Sequence, residues 1–169
     1  MVHLRDYSGL DCDTLVLYLN DNRITRYLSN TLPQPYSPQD AVWWVDNTRR
    51  SGQISKVIEC YGEMCGAVGV TLSACESEAE IGYWVKPECW NRGIATRAVN
   101  LMTALTFSTT RVNRIVNPVS APNTASSRVM QKAGYTFEKR LYQVAQRAGI
   151  RSDELLYVKQ PGYAVDSEK

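Results

Sequence analysis

Between Glu78 and Val85 apolar and polar positions alternate without a break. Ala79, Ile81, Tyr83 and Val85 fall on one face, and Glu80, Gly82 and Trp84 on the other. Successive side chains of an extended chain point to opposite faces, so this segment is predicted to be a strand, and a central one. Two further strand-like runs precede it, Ile54 to Cys60 and Met64 to Leu72, joined by the hairpin signal Tyr61-Gly62-Glu63. Nearer the start the period changes. Behind a short strand from Val2 to Asp6, residues Cys12, Leu15, Val16 and Leu19 recur at helical spacing, and that helix is expected to stop near Asn20 to Asn22. A second helix starts at Ser37-Pro38-Gln39-Asp40, with Ser37 placed to cap, Pro38 at the first helical position and Asp40 in the first turn. Ala41, Trp44, Val45 and Thr48 share its apolar face.

In the second half, a loop after Lys86-Pro87 leads into a long helix from Arg92 to Phe107, whose stripe is Ile94, Ala98, Leu101, Met102 and Leu105. A strand over Arg114 to Val119 follows. Asn123 is placed to cap a shorter helix that carries Lys132 in its last turn and stops at Gly134. Two long strands, Tyr135 to Gln146 and Arg151 to Lys159, flank an Ala148-Gly149 turn. The predicted order is β-α-α-β-β-β-α-β-α-β-β, an α/β chain with one domain over residues 1–160 and a tail over residues 161–169.

Composition narrows the function classes. A chain of 169 residues can bury a core without disulfides or metals. Its 19 Lys and Arg against 17 Asp and Glu leave a net charge of +2, too weak a field for sequence-independent nucleic-acid binding. Five cysteines with no C-x-x-C pair, and a single histidine, His3, do not make a zinc site and read as reduced thiols. Neither a signal peptide nor a membrane-spanning run is present, so a cytoplasmic protein is expected, with no membrane partner.

The chemistry concentrates where the central strand runs into the long helix. Cys89-Trp90-Asn91-Arg92-Gly93-Ile94-Ala95-Thr96 is a tight turn opening a helix, where backbone N–H groups and the positive end of the helix dipole can hold phosphate oxygens. Neither G-x-G-x-x-G nor G-x-x-x-x-G-K-[ST] occurs there, so a dinucleotide or nucleoside triphosphate is not the implied anion. Ala79-Glu80-Ile81-Gly82-Tyr83-Trp84 together with Trp90 to Thr96 resembles the pyrophosphate-binding motif of GNAT acetyltransferases, in the form of the RimJ/RimL branch. Asn123-Thr124-Ala125-Ser126 with Val129, Lys132, Gly134 and Tyr135 resembles that branch's second motif. Leu4-Arg5, Pro35-Tyr36, Asp40-Ala41, Trp44 and Asp153 to Tyr157 extend the likeness over nearly the whole chain.

The resemblance implies a GNAT fold, a mixed and mostly antiparallel sheet with helices on both faces, and acetyl-CoA as cosubstrate. The backbone from Arg92 through Gly93, Ile94 and Ala95 to Thr96 would hold the pyrophosphate. The strand through Tyr83, Trp84 and Val85 would pair with the pantetheine arm in a V-shaped split. Asn123 is the family's side-chain contact near that arm, and an N-cap role alone also explains an asparagine there. The implied reaction is acetyl transfer to a primary amine, on a protein N-terminus or a small molecule, by a monomer or homodimer. Glu80 is the first candidate for general base, ahead of Glu59 and Glu78. Where many members carry a thiolate-protonating tyrosine this chain has Met130, and the branch's alternative, a serine three residues after the asparagine, matches Ser126. Pro118 departs from the family's regular strand by removing a ladder donor on the substrate side. Tyr36, Trp43 and Trp44 either line the acceptor groove or pack in the core. A noncatalytic acyl-CoA sensor on the same scaffold is the competing reading.

Overall fold

The computed structural model describes residues 1–49, 52–147 and 149–162. The elements are β1 (Val2–Arg5), α1 (Cys12–Tyr18), α2 (Asn22–Thr25), α3 (Pro38–Asn47), β2 (Gln53–Cys60), β3 (Glu63–Leu72), β4 (Glu78–Val85), α4 (Ile94–Thr109), β5 (Arg114–Ser120), α5 (Thr124–Lys132), β6 (Thr136–Arg147) and β7 (Ile150–Lys159). The expected order recurs with one addition. Asp21, read as part of a helix stop, accepts a hydrogen bond from Arg23 N at 2.9 Å and restarts the helix for one turn. That turn buries only Ile24, too little for a periodicity to register. The tail expected from residue 161 lies, from residue 163 on, outside the described residues, as does Ala148 of the expected turn.

Among the described residues, seven strands form one sheet in the order β1-β2-β3-β4-β5-β7-β6. Every pairing is antiparallel except that of β4 with β5. The β2–β3 hairpin turns on Tyr61 and Gly62, with φ of 54° and 80°. Two positive φ values in a two-residue loop match the right-handed twist of the strands they join. On one sheet face α4 and α5 cover a core that includes Ile58, Val68, Ile81, Met102, Ile115 and Met130. On the other, α1 and α3 cover Val57, Met64 and Ala67 with Leu15, Leu19 and Tyr36. Arg5 fastens β1 to the chain that follows it by a two-pronged bond to Asp11, at 2.9 and 2.8 Å.

One helix departs from expectation in detail. The long helix begins at Ile94, because Asn91 (φ 59°) and Gly93 (φ 73°) are left-handed and cannot join a right-handed helix. Its buried stripe runs through Ile94, Ala98, Val99, Met102, Thr103 and Thr106, with Leu101 and Leu105 only partly buried. The threonines tolerate burial because their hydroxyls are paired, Thr106 with Met102 O at 2.8 Å and Thr103 with Tyr135 Oη at 2.7 Å.

The β3–β4 contact is closest at Gly66, where a Cβ would lie 2.0 Å from the Trp84 carbonyl oxygen and 2.9 Å from Val85 Cα. Both obstacles are backbone, so they cannot swing aside. Gly66→Ala is therefore expected to lower stability by about 1–3 kcal/mol or more, read from urea unfolding midpoints. An unchanged midpoint would mean that the two strands separate more easily than this register implies.

Candidate active site

Strands β4 and β5 run parallel and pair only over Glu78–Arg114, Ala79–Ile115 and Glu80–Val116. Beyond that point β4 stays with β3 as far as Gly66–Val85, while β5 stays with β7 as far as Ser120–Glu154. The two strands therefore part immediately after Glu80, opening a split in the middle of the sheet. Pro118 sits in this diverging stretch, and β5 is regular around it. Ala121 N donates to Asp153 O, and Thr136 Oγ1 bonds Val158 O on the far side of β7. By alternation, odd-numbered residues of β5 then direct their backbone groups to β7, and Pro118 turns its nitrogen toward the split. The missing N–H costs no ladder bond, contrary to the expectation from sequence, and removes one donor from the side of β5 that faces the split.

Past the end of β4, Trp90 folds back and its Nε1 donates to Val85 O at 2.7 Å, fixing the turn to the strand. Gly93 is the N-cap of the 16-residue α4 and supplies no side-chain cap; the first helical bond runs from Arg97 N to Gly93 O. The N–H groups of Ile94, Ala95 and Thr96 thus precede the first intrahelical donor, with no acidic side chain in that turn. Arg92 and Gly93 are exposed, and Ile94 is buried and anchors the helix in the core. An anion fits such an end through fixed donors and dipole together. The open edge of β4 lies beside this helix end. Among the described residues no group of three or more His, Cys, Asp or Glu side chains is arranged to hold a metal. The five cysteines are free thiols, and Cys65 and Cys89 lie buried with sulfurs 3.4 Å apart. Burial pushes the Cys89 thiol up to about 11, so it stays neutral.

Across the split, the Tyr83 phenol of β4 meets Ser126 Oγ in the first turn of α5 at 2.7 Å. Burial pushes the phenol up to about 12, against a smaller opposing effect of that hydrogen bond, so it is protonated at neutral pH. Asn123 caps α5: its Oδ1 accepts from Ser126 N at 3.3 Å, which leaves its amide nitrogen as a donor. Met130 is fully buried and receives the Asn117 amide on its sulfur at 3.3 Å; it has no proton to give. Among the described residues, Ser127 buries its Oγ without a hydrogen-bond partner.

Glu80 stands where the strands part and borders two clefts, one of about 890 Å3 and one of about 520 Å3. Although it keeps solvent access at the cleft mouth, its carboxyl pKa is raised, first by burial and then by the charges of Glu154 and Glu78. The two alternative carboxylates are engaged elsewhere. Glu59 is bonded by Arg5 and by His3, which hold its pKa down. Glu78 is paired with Arg114 at 2.7 Å. The structure thus gathers Glu80, Tyr83, Asn123, Ser126 and the turn before α4 along one seam. Tyr36, Trp43 and Trp44 border the larger cleft. Sequence reading missed Glu154, which borders the smaller cleft with Glu80 and Asn117. Its segment was noticed only as a likeness, and nothing in a strand's alternation says that it faces a residue 74 positions away.

Comparison with known proteins agrees with this geometry. N-acetyltransferase YoaA of Bacillus subtilis (strain 168), itself uncharacterized, is 26% identical over 162 residues, spanning 91% of this chain and 90% of the relative. RimL, the ribosomal L7/L12 alpha-N-protein acetyltransferase solved with coenzyme A, superposes with a TM-score of 0.84 at 19% identity, covering 94% of this chain and 93% of that one. The microcin C7 self-immunity acetyltransferase MccE, solved with acetyl-CoA and AMP, does so with a TM-score of 0.83 at 20% identity over 95% and 92%. At such identities the two structures speak for the fold. The acetyltransferase (GNAT) domain model matches residues 2–136, a span that holds the split, the turn before α4 and the α5 cap. The chain belongs to the GNAT acetyltransferase family.

Proposed function

We propose that this protein moves the acetyl group of acetyl-CoA directly to a primary amine, of a protein N-terminus or a small molecule, with both substrates bound at once. The observation that carries the reading is the parting of β4 from β5 directly after Glu80. It provides a passage through the sheet between the cofactor face and the face on which the side chain of Glu80 lies.

Bound acetyl-CoA supplies the acetyl group as a thioester whose sulfur leaves with the bonding electron pair. The N–H groups from Arg92 to Thr96 hold its diphosphate, and the open edge of Tyr83 to Val85 aligns its arm, with the Asn123 amide beside it. Glu80 takes a proton from the acceptor ammonium, directly or through one water. Its raised pKa brings it nearer to neutral pH and so makes it a stronger base than an ordinary carboxylate. The neutral nitrogen then bonds the carbonyl carbon as the carbon–sulfur bond breaks, and the surplus proton on the new amide nitrogen passes through water to replace the one that Ser126 gives up. Ser126 delivers a proton to the departing sulfur; with Tyr83 as donor in their 2.7 Å bond, the serine's own proton is directed outward.

Two results follow from these roles. Ser126→Ala and Tyr83→Phe are each expected to lower kcat by about ten- to hundredfold, at the low end of general-acid effects, with acetyl-CoA affinity within twofold of wild type. The rate should also rise with pH through the Glu80 ionisation, at a pH above the usual carboxylate range, because only the ionised form accepts a proton. Steady-state rates of CoA release across pH test both. If both hydroxyl variants turn over at the wild-type rate, the proton comes from elsewhere. If acetyl-CoA binds but no amine provokes CoA release, the chain is a binding module on this scaffold.

A further inference from the structure

The cleft of about 890 Å3 lies on the sheet face opposite α4 and α5. That volume is within the range of sites for small molecules. Apolar side chains make up most of its lining. Leu15, Leu19 and Leu32 supply aliphatic surface, and Tyr36, Trp43 and Trp44 supply rings. Two carboxylates border it, Glu80 and Asp40. Asp40 is engaged by its helix cap, where Ser37 N and Ser37 Oγ both donate to its Oδ2, at 2.8 and 2.7 Å. Polar side chains around the cleft also bond one another, Tyr7 with Ser55 at 3.3 Å and Ser29 with Thr31 at 2.8 Å. Glu80 is therefore the carboxylate that an ammonium entering this cleft meets.

The next residue on the same face of β4 is Gly82, about 7 Å along the strand from Glu80. A Cβ built on Gly82 meets nothing within 4 Å. The floor beside the base is thus open, and Tyr36, Trp43 and Trp44 border the same cleft. Resting on the acetyl-transfer reading above, we infer that the acceptor is a small monoamine carried on an aromatic or branched apolar body. Its nitrogen lies at Glu80 and its body over Gly82 against Trp43 and Trp44. A ring two carbons from the nitrogen spans that distance. A linear polyamine would place its second ammonium either among leucines and indoles or at Asp40, whose Oδ2 is already bonded twice by Ser37, and the first of these is costly. A peptide N-terminus would bring successive backbone N–H and C=O groups into the same apolar walls.

The test measures kcat/KM for 2-phenylethylamine, spermidine and a tetrapeptide with an N-terminal serine, at saturating acetyl-CoA. The value for 2-phenylethylamine should exceed each of the others at least tenfold. Trp43→Ala should raise its KM about three- to tenfold, the range of a lost aromatic contact, with acetyl-CoA affinity by calorimetry unchanged. Gly82→Val, which suits a strand and fills the opening, should raise the same KM and covers the case in which Trp43→Ala folds poorly. Preference for spermidine or the peptide would overturn this substrate class while leaving acetyl transfer to amines standing. An unchanged KM in a folded Gly82→Val protein would likewise remove the body from this cleft. Acetyl-CoA binding with no amine acetylated would instead bring down the transfer reading, and this inference with it.

Discussion

Glu80→Gln is expected to lower kcat/KM by about 10²- to 10⁴-fold, the usual contribution of a positioned general base, while the protein stays folded and binds acetyl-CoA as before. The amide keeps the shape of the carboxyl group and loses only the ability to take the proton. Stability provides the control. Burial and the charges of Glu154 and Glu78 raise the Glu80 pKa above its unfolded value, so ionisation is disfavoured in the native state. Above the folded pKa that charge opposes folding, and the penalty disappears as pH falls through it. Removing the charge should therefore leave the thermal midpoint at neutral pH unchanged or higher, and the acid limb of the pH–rate profile should disappear. A variant as active as wild type would move the base elsewhere. A variant that lost activity and stability together would make Glu80 a structural residue.

Gly93→Glu is expected to weaken acetyl-CoA binding at least about a hundredfold, or about 2.7 kcal/mol. Gly93 has φ 73°, where any side chain adds strain of about 1–2 kcal/mol, and it stands exposed at the N-terminus of α4. A carboxylate there would take the place prepared for phosphate oxygens and repel them. The same carboxylate interacts favourably with the helix dipole, which offsets part of the strain and keeps the protein folded. Gly93→Ala separates the two causes, since it carries the strain without the charge and should weaken binding about tenfold or less. Equal losses in the two variants would mean that backbone shape matters at this turn and charge does not. Tight binding by both, measured by calorimetry, would place the diphosphate elsewhere.

Much of this arrangement was legible in the sequence where one element carries the signal. The alternation from Glu78 to Val85 marked β4, and the Ser37 cap marked α3, to which the structure adds the reciprocal bond accepted by Asp40. The turn before α4 was also visible, although its left-handed residues delay the helix to Ile94. Relations between distant segments were not visible. The Tyr83–Ser126 bond joins residues 43 positions apart, and nothing at either end announces it. The larger cleft draws its lining from segments between Tyr7 and Trp84, so no local pattern describes it. In β6, Gln143 adopts φ 53° and donates from its backbone to Asp153 at 2.9 Å, breaking a register that composition alone reads as continuous. Pro118 shows the converse. Its effect depends on which neighbour its nitrogen faces, set by the pairing of β5 with β7, and on β4 having already left β5 at that point.

The most direct test of acetyl transfer to an amine follows CoA release by the purified protein at saturating acetyl-CoA, with and without each of the three amines named above. The same mixtures are then analysed by mass spectrometry for the acetylated amine. The account predicts release that depends on added amine, saturates with it, and matches the N-acetyl product one for one. Release at the same rate without amine, or no release by a protein that binds acetyl-CoA, would contradict it.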